Sequence, residues 1–371
     1  MPLFGPKPLL TKLKPMVWAF IPYRIDGTRL LAESYETAQT KSELAEAFLA
    51  LGLAWVWQPV TLNELPNVMA QLLECRKKRE VLVFNFCDGA GTDGYPGILV
   101  TDALEQARVP FTGARSSYYR ISTSKVAMKE RFIRAGVPTA PFELLPPCGP
   151  VQGVCERLGA PVIVKPDISA ASFGIGLQSV VANDAQLAAQ RDRLRVGPGA
   201  PFFADVPIFA ERFIDGPEFT ALVLGETNGA VPLVCLPPVE RVFHSKIPAH
   251  ERFLSFDRYW GYFSEESQPQ LGEPFYRYEL ASAQMATNLT TLALKAYRTV
   301  DGSGYGRVDM RFNALTDQLQ VLEVNANCGL SSDRETTAGE ILRLADIAFS
   351  ELLATIAEGA LVRSRCRAVD T

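Results

Sequence analysis

The sequence predicts an α/β protein: a doubly wound first domain, then a region mixing strand pairs with helices. Three observations predict it. Short apolar runs alternate with helical stretches as far as Arg115. The run Val81-Leu82-Val83-Phe84-Asn85-Phe86 is almost wholly apolar, as in strands covered on both faces, and leads into the Gly-rich Cys87-Asp88-Gly89-Ala90-Gly91-Thr92-Asp93-Gly94. Beyond Arg115 strand pairs take over, ending in a hairpin over 306–325 whose two flanks alternate in polarity.

In order, 17–21 is a first strand. Thr40 and Glu43 have capping-box spacing before a helix that Gly52 ends. A strand at 56–60, a helix at 68–75, the strand at 81–86, a helix at 99–107 and a short strand at 111–113 complete the alternation. The loop after residue 86 stands at a strand's carboxyl end, where open α/β sheets bind ligands, although its glycines also suit plain turns. A helix at 125–135 stops at Gly136, with Pro138 beyond. Strands follow at 142–145, 162–165 and 177–181, with a helix near 151–158. Between the last two strands runs a small-residue loop, 166–176, whose backbone donors and preceding Lys165 suit phosphate. Asn183 caps the next helix. A strand at 209–214, a Gly216-Pro217 turn and a strand to 224 have the form of a passage between domains. Glu211 and Glu218 there are candidate acceptors for an adenine amino group and ribose hydroxyls; two solvated strand acids are the alternative. The aromatic-rich stretch 244–270 reads as a lid. One amphipathic helix covers 278–300, a bend lies at 328–332, and a single helix closes the chain at 337–357.

Composition narrows the function. The chain has 371 residues, 47% hydrophobic and 21% charged, with a net charge of -4. That balance suits a globular protein of two or three domains and argues against nucleic acid as a partner. No apolar run reaches membrane-spanning length. Seven scattered cysteines without a C-x-x-C pair point to a reducing cytoplasm and away from zinc.

The hairpin carries the chemistry. Folded about Thr316, it sets Asp309 opposite Glu323 and Arg307 opposite Asn325, with Val321 on the same face as Glu323. Two acids facing across strands repel. A divalent cation reverses that sign, and Asp, Glu and Asn oxygens are ligands Mg²⁺ takes. A solvated face neutralised by Arg307 and Arg311 is the alternative.

Three stretches, in this order and spacing, resemble the ATP-grasp superfamily and within it the D-alanine–D-alanine ligase family. They are Pro161-Val162-Ile163-Val164-Lys165-Pro166, Glu211-Arg212-Phe213-Ile214-Asp215-Gly216-Pro217-Glu218-Phe219, and Arg307-Val308-Asp309 with Glu323-Val324-Asn325. The resemblance implies a Rossmann-like N-terminal domain (1–118), a central ATP-grasp subdomain (119–210) and a C-terminal one (211–371) that clamp ATP between two sheets. It implies phosphate lysines at Lys125 and Lys165, with Ser172 on the loop above. Adenine and ribose would be read by Glu211, the backbone of Arg212, Phe213 and Ile214, and Glu218, between apolar walls at Ile163 and Leu322. Asp309, Glu323 and Asn325 would hold Mg²⁺ or Mn²⁺, and Arg307 would stabilise the tetrahedral oxyanion. Arg258 stands for the family's lid lysine, beside Tyr259. Asp88, Gly329, Ser331 and Arg334 fall at the substrate positions; a solvated arginine is the alternative for Arg334.

Ala171, Cys87-Asp88, Cys328 and Asp333-Arg334 depart from the family pattern at its amino-acid positions. The expectation is therefore a cytoplasmic carboxylate–amine ligase working through an acyl phosphate. It would join small-molecule substrates, amino acids foremost, into a dipeptide or conjugate, as a homodimer. D-Alanine–D-alanine ligase itself, an ATP-binding regulatory protein without turnover, and a kinase are the alternatives.

Overall fold

A computed structural model describes residues 5–26, 29–31, 38–89, 91, 94–169, 171–196, 200–260, 266, 271–272 and 274–369. Three main sheets organise them. The first is parallel, in the order Trp55–Val60, Met16–Pro22, Val81–Asn85. Phe111 adds only a single bridge to Val83. Val17, Ala19 and Ile21 face helices Ala38–Ala50 and Phe349–Val369. Trp18 and Phe20 face helices Leu65–Arg76 and Gly97–Gln106. The strand is apolar throughout because both of its faces are covered.

The second sheet is antiparallel, in the order Phe142–Leu144, Ile208–Arg212, Val162–Pro166, Val180–Val181. Val162, Val164 and Ala210 pack against helices Val154–Leu158 and Asp184–Val196. Ile163, Lys165 and Glu211 alternate onto the other face. The third sheet runs Tyr276–Leu280, Val239–Phe243, Glu218–Leu224, Tyr305–Asn313, Gln318–Ala326, with Val234–Cys235 beside Glu218–Leu224. Its Val308, Met310, Val321 and Val324 are covered by helices Ala283–Thr299 and Lys125–Arg134. The central sheet turns Lys165 and Glu211 away from its apolar core, while the C-terminal sheet also buries Leu222, Leu224, Val239 and Tyr305 in the core of the first sheet and keeps Arg307 and Asp309 on part of that second face.

Several expectations need correction. The division expected at 210/211 cuts a strand: the central sheet keeps the chain through Arg212, and the C-terminal sheet begins at Glu218. Thr40 lies inside helix Ala38–Ala50, not ahead of it, and Glu43 accepts from Ser331 Oγ. Tyr278 is a strand residue, because Tyr276–Leu280 pairs with Val239–Phe243; the helix begins at Ala283, capped by Ser282. The closing helix breaks at 345–348, where Asp346 takes a left-handed φ of 53°. Helices Pro8–Leu13 and Ser116–Thr123 went unread. The lid stretch holds a helix, Phe256–Trp260; 261–265 and 267–270 lie outside the described residues.

Candidate active site

The hairpin register is Arg307 opposite Asn325, Val308 opposite Val324 and Asp309 opposite Glu323, as the alternation requires. A bulge follows, so that Met310 faces Val321 instead of Leu322. This corrects the expected facing of Val321: it is fully buried in the core, and the extra residue Leu322 is left outside it.

Asp309 and Glu323 share one donor, the Asn325 amide, at 2.9 and 3.2 Å. Asp309 also accepts from Thr220 Oγ1 at 2.5 Å and from Arg307 Nε and Nη2 at 3.0 and 2.9 Å. Burial alone would raise its pKa; the Arg307 guanidinium overcomes this and lowers it. The alternative reading of the acid face is therefore half right: Arg307 does neutralise Asp309, while Arg311 serves a different acid. Among the described residues Glu323 pairs with one cation, the ammonium of Lys125 at 3.8 Å. It is also the more exposed of the two, at 26% against 14% for Asp309. Among the described residues no three His, Cys, Asp or Glu side chains form a metal cluster. Two carboxylates within reach of one amide nitrogen, half-open to solvent, still fit a hard divalent ion that keeps water and phosphate in its shell. Asn325 would have to turn its amide over to offer oxygen.

The facing wall is built from lysines. Ser124 caps helix Lys125–Arg134, and Asp167 accepts from Ser124 Oγ and Val126 N, so the helix start is pinned at the cleft. Lys125 Nζ donates to Ser169 O at 2.8 Å. Burial lowers its pKa. Lys165 Nζ lies 2.6 Å from Glu211 Oε1, and Lys129 Nζ 2.5 Å from Oε2. Burial would raise the Glu211 pKa; the two ammoniums hold it at about 2. The candidate adenine acceptor is thus engaged by lysines.

Glu218 is also engaged. Arg311 Nε and Nη2 donate to it at 3.1 and 2.6 Å, and Arg241 pairs with its other oxygen. Their charges lower its pKa against the effect of burial. Arg311 Nη1 takes the Ile214 carbonyl at 2.8 Å, and the guanidinium lies 5.4 Å from the Phe213 ring centre. Ile163, Phe213, Ile175 and Phe253 form one apolar cluster, but Leu322 is not in it. Arg212 turns away, its Nε donating to Leu158 O.

The expected substrate positions are more scattered. Ser172 has a left-handed φ of 64° and accepts from Ile175 N through its carbonyl. Arg258 pairs with Glu251 at 2.6 Å; the Tyr259 side chain lies outside the described residues. Asp88 is exposed, and its charge helps raise the pKa of buried Tyr305, after burial and Cys328. Gly329 faces open space and Arg334 is exposed at the helix start. Ser331 Oγ and Ser332 N donate to Glu43 of the first domain at 2.7 and 3.1 Å.

Lys129, Thr220 and Arg241 were missed, and Arg311 and Glu43 were expected to meet other partners. Lys129 had a signal: four residues after Lys125, it lies on the same helix face. The others depend on partners distant in sequence.

A family model described as D-ala D-ala ligase C-terminus matches residues 132–358. The D-alanine–D-alanine ligase of Ralstonia pickettii (strain 12J) is 27% identical over 270 residues, 73% of this chain and 72% of that protein. D-alanine–D-alanine ligase B of Xanthomonas campestris pv. campestris is 28% identical over 281 residues, 74% and 76% of the two chains. The fold is similar to that of a D-alanine–D-alanine ligase from Bacillus anthracis solved with ATP. There the TM-score is 0.63 at 19% identity, over 95% of this chain and 99% of that one. It is also similar to that of VanG D-Ala:D-Ser ligase from Enterococcus faecalis, with TM-score 0.64 at 16% identity over 93% and 99%. The chain belongs to the D-alanine–D-alanine ligase family of ATP-grasp enzymes, ADP-forming ligases that make a carbon–nitrogen bond.

Proposed function

We propose that this chain joins D-alanine to D-alanine at the expense of ATP, in the cytoplasm. The curated relatives carry that name, which favours this narrower reading over a conjugate of unspecified amino acids. The observation that carries the nucleotide part is the cleft itself: Asp309 and Glu323 bridged by one amide, facing Lys125 and Lys165. Acids for a cation and ammoniums for phosphates stand together, with Lys125 3.8 Å from Glu323.

In this reading Lys125 and Lys165 take the phosphates, and the Ile163–Phe213 cluster takes the base. Asp309, Glu323 and Asn325 hold Mg²⁺ or Mn²⁺, which supplies charge neutralisation at the phosphate oxygens when bound. A carboxylate oxygen of the first amino acid attacks the γ-phosphorus, ADP leaves, and an acyl phosphate forms. The amine of the second attacks the acyl carbon and expels phosphate. Arg307, still paired with Asp309 through Nε and Nη2, stabilises the oxyanion between these events. The 167–176 loop and helix Phe256–Trp260 exclude water; Phe256 N already donates to Ile175 O at 2.8 Å.

The test is phosphate and ADP release with ATP, Mg²⁺ and single amino acids of either hand. Release that requires D-alanine is the expected result. Release with other amino acids but not D-alanine overturns the substrate assignment, and ADP without free phosphate overturns ligation in favour of a kinase.

A further inference from the structure

Glu211 is held by two lysines that are coordinated very differently. Lys129 Nζ donates to Thr139 Oγ1 at 2.8 Å and to Ala140 O at 3.1 Å, and its charge pairs with Glu211 Oε2 at 2.5 Å. Two of its three protons are committed to neighbours other than Glu211, which fix the ammonium beside the carboxylate. Its side chain is 2% exposed. Thr139 Oγ1 in turn donates to Val321 O at 2.8 Å, and Thr139 bridges Val321 in register. Lys129 is therefore anchored where the two cleft walls meet, next to the bulge at Leu322. Among the described residues Lys165 Nζ has one acceptor, Glu211 Oε1 at 2.6 Å, and its side chain is 15% exposed. That single bond and its greater exposure make it the freer of the two ammoniums to change partner.

An ammonium is a point charge on a flexible stem and changes partner readily. If Lys165 turns to a phosphate, Glu211 loses one of its two cations while buried. Stripping a buried anion of its only counter-charge costs several kcal/mol. With Lys129 in place the anion is never stripped.

We propose that Lys129 is a positioning residue: it secures Glu211 as the fixed partner, so that Lys165 is free to leave Glu211 for the phosphates. The proposal rests on the nucleotide reading above. Lys129 touches no substrate in this account and acts through Glu211 alone.

The experiment measures binding of AMP-PNP with Mg²⁺ by calorimetry, without turnover, on variants whose folding is checked by circular dichroism. Lys129→Met makes Lys165 the sole counter-charge of Glu211 and is expected to weaken binding by about tenfold or more. Adding Glu211→Gln removes the anion that detains Lys165, so the double variant is expected to bind more tightly than Lys129→Met, to within about threefold of Glu211→Gln alone. A role in packing alone predicts the opposite, a double variant no better than the single. Should Lys129→Met not fold, the Glu211→Gln background carries the test: Lys129→Met is expected to be nearly silent there, and an undiminished loss overturns the proposal. Lys129→Met that binds like the unaltered protein overturns it as well. An unaltered protein that does not bind Mg·AMP-PNP overturns the nucleotide reading first, and this proposal with it.

Discussion

The two walls of the cleft hold their charges by different means. On the C-terminal sheet Asp309 and Glu218 are gripped by guanidiniums, Arg307 on one and Arg241 with Arg311 on the other. Planar forks with several donors make fixed pairs. On the central sheet Glu211 is gripped by ammoniums, one buried and anchored by Thr139 and Ala140 and one more exposed. The guanidinium wall is built to stay as it is, and the ammonium wall can exchange partners. Glu323 belongs to neither pattern: its nearest cation is 3.8 Å away, which makes it the acid most available to a ligand.

Variants can break this contrast. Arg311→Met leaves a buried carboxylate short of one fork and is expected to cost about 3 kcal/mol of stability, read by urea unfolding. Stability within 1 kcal/mol of the unaltered protein would mean the guanidinium wall is not fixed. Glu323→Gln is expected to lower the rate of phosphate release on the order of 100-fold while the thermal midpoint stays within a few degrees. A near-normal rate removes Glu323 from the metal site. Lys165→Met leaves Glu211 paired with Lys129, so unfolding should change by about 1 kcal/mol or less while nucleotide binding weakens about tenfold.

Acid sharpens the same contrast. The ordinary carboxyl value for Glu211 is 4.5, and in the fold it is about 2. Between those values the unfolded chain binds a proton that the folded chain refuses, so protons favour unfolding. The contribution of Glu211 is complete above about pH 4.5 and is lost as pH falls toward 2. Urea midpoints measured over this window should fall more steeply for the unaltered protein than for Glu211→Gln; equal slopes would refute the depressed value. The smallest effect belongs to Leu315, 92% exposed in the hairpin turn: Leu315→Ser should change stability by less than about 0.5 kcal/mol.

The sequence by itself determined the acid pair. Alternation and a short turn are local, and together they set Asp309 against Glu323 and Arg307 against Asn325. The three sheets and most of their strands were legible for the same reason, since runs such as 81–86 and 162–165 declare their period within a few residues. Tertiary structure alone decided the rest. The bulge that buries Val321 and frees Leu322 falls where two apolar residues stand side by side in sequence, and pairing with the neighbouring strand decided which of them turned inward. Tyr278 joins a strand because a neighbouring strand was there to pair with it. Which cation meets which acid was hidden most deeply, as with Arg311 and Glu218, 93 residues apart. Long charged side chains choose partners by proximity in a dry interior, where an unpaired charge is costly, and that proximity exists only once the sheets have closed on one another.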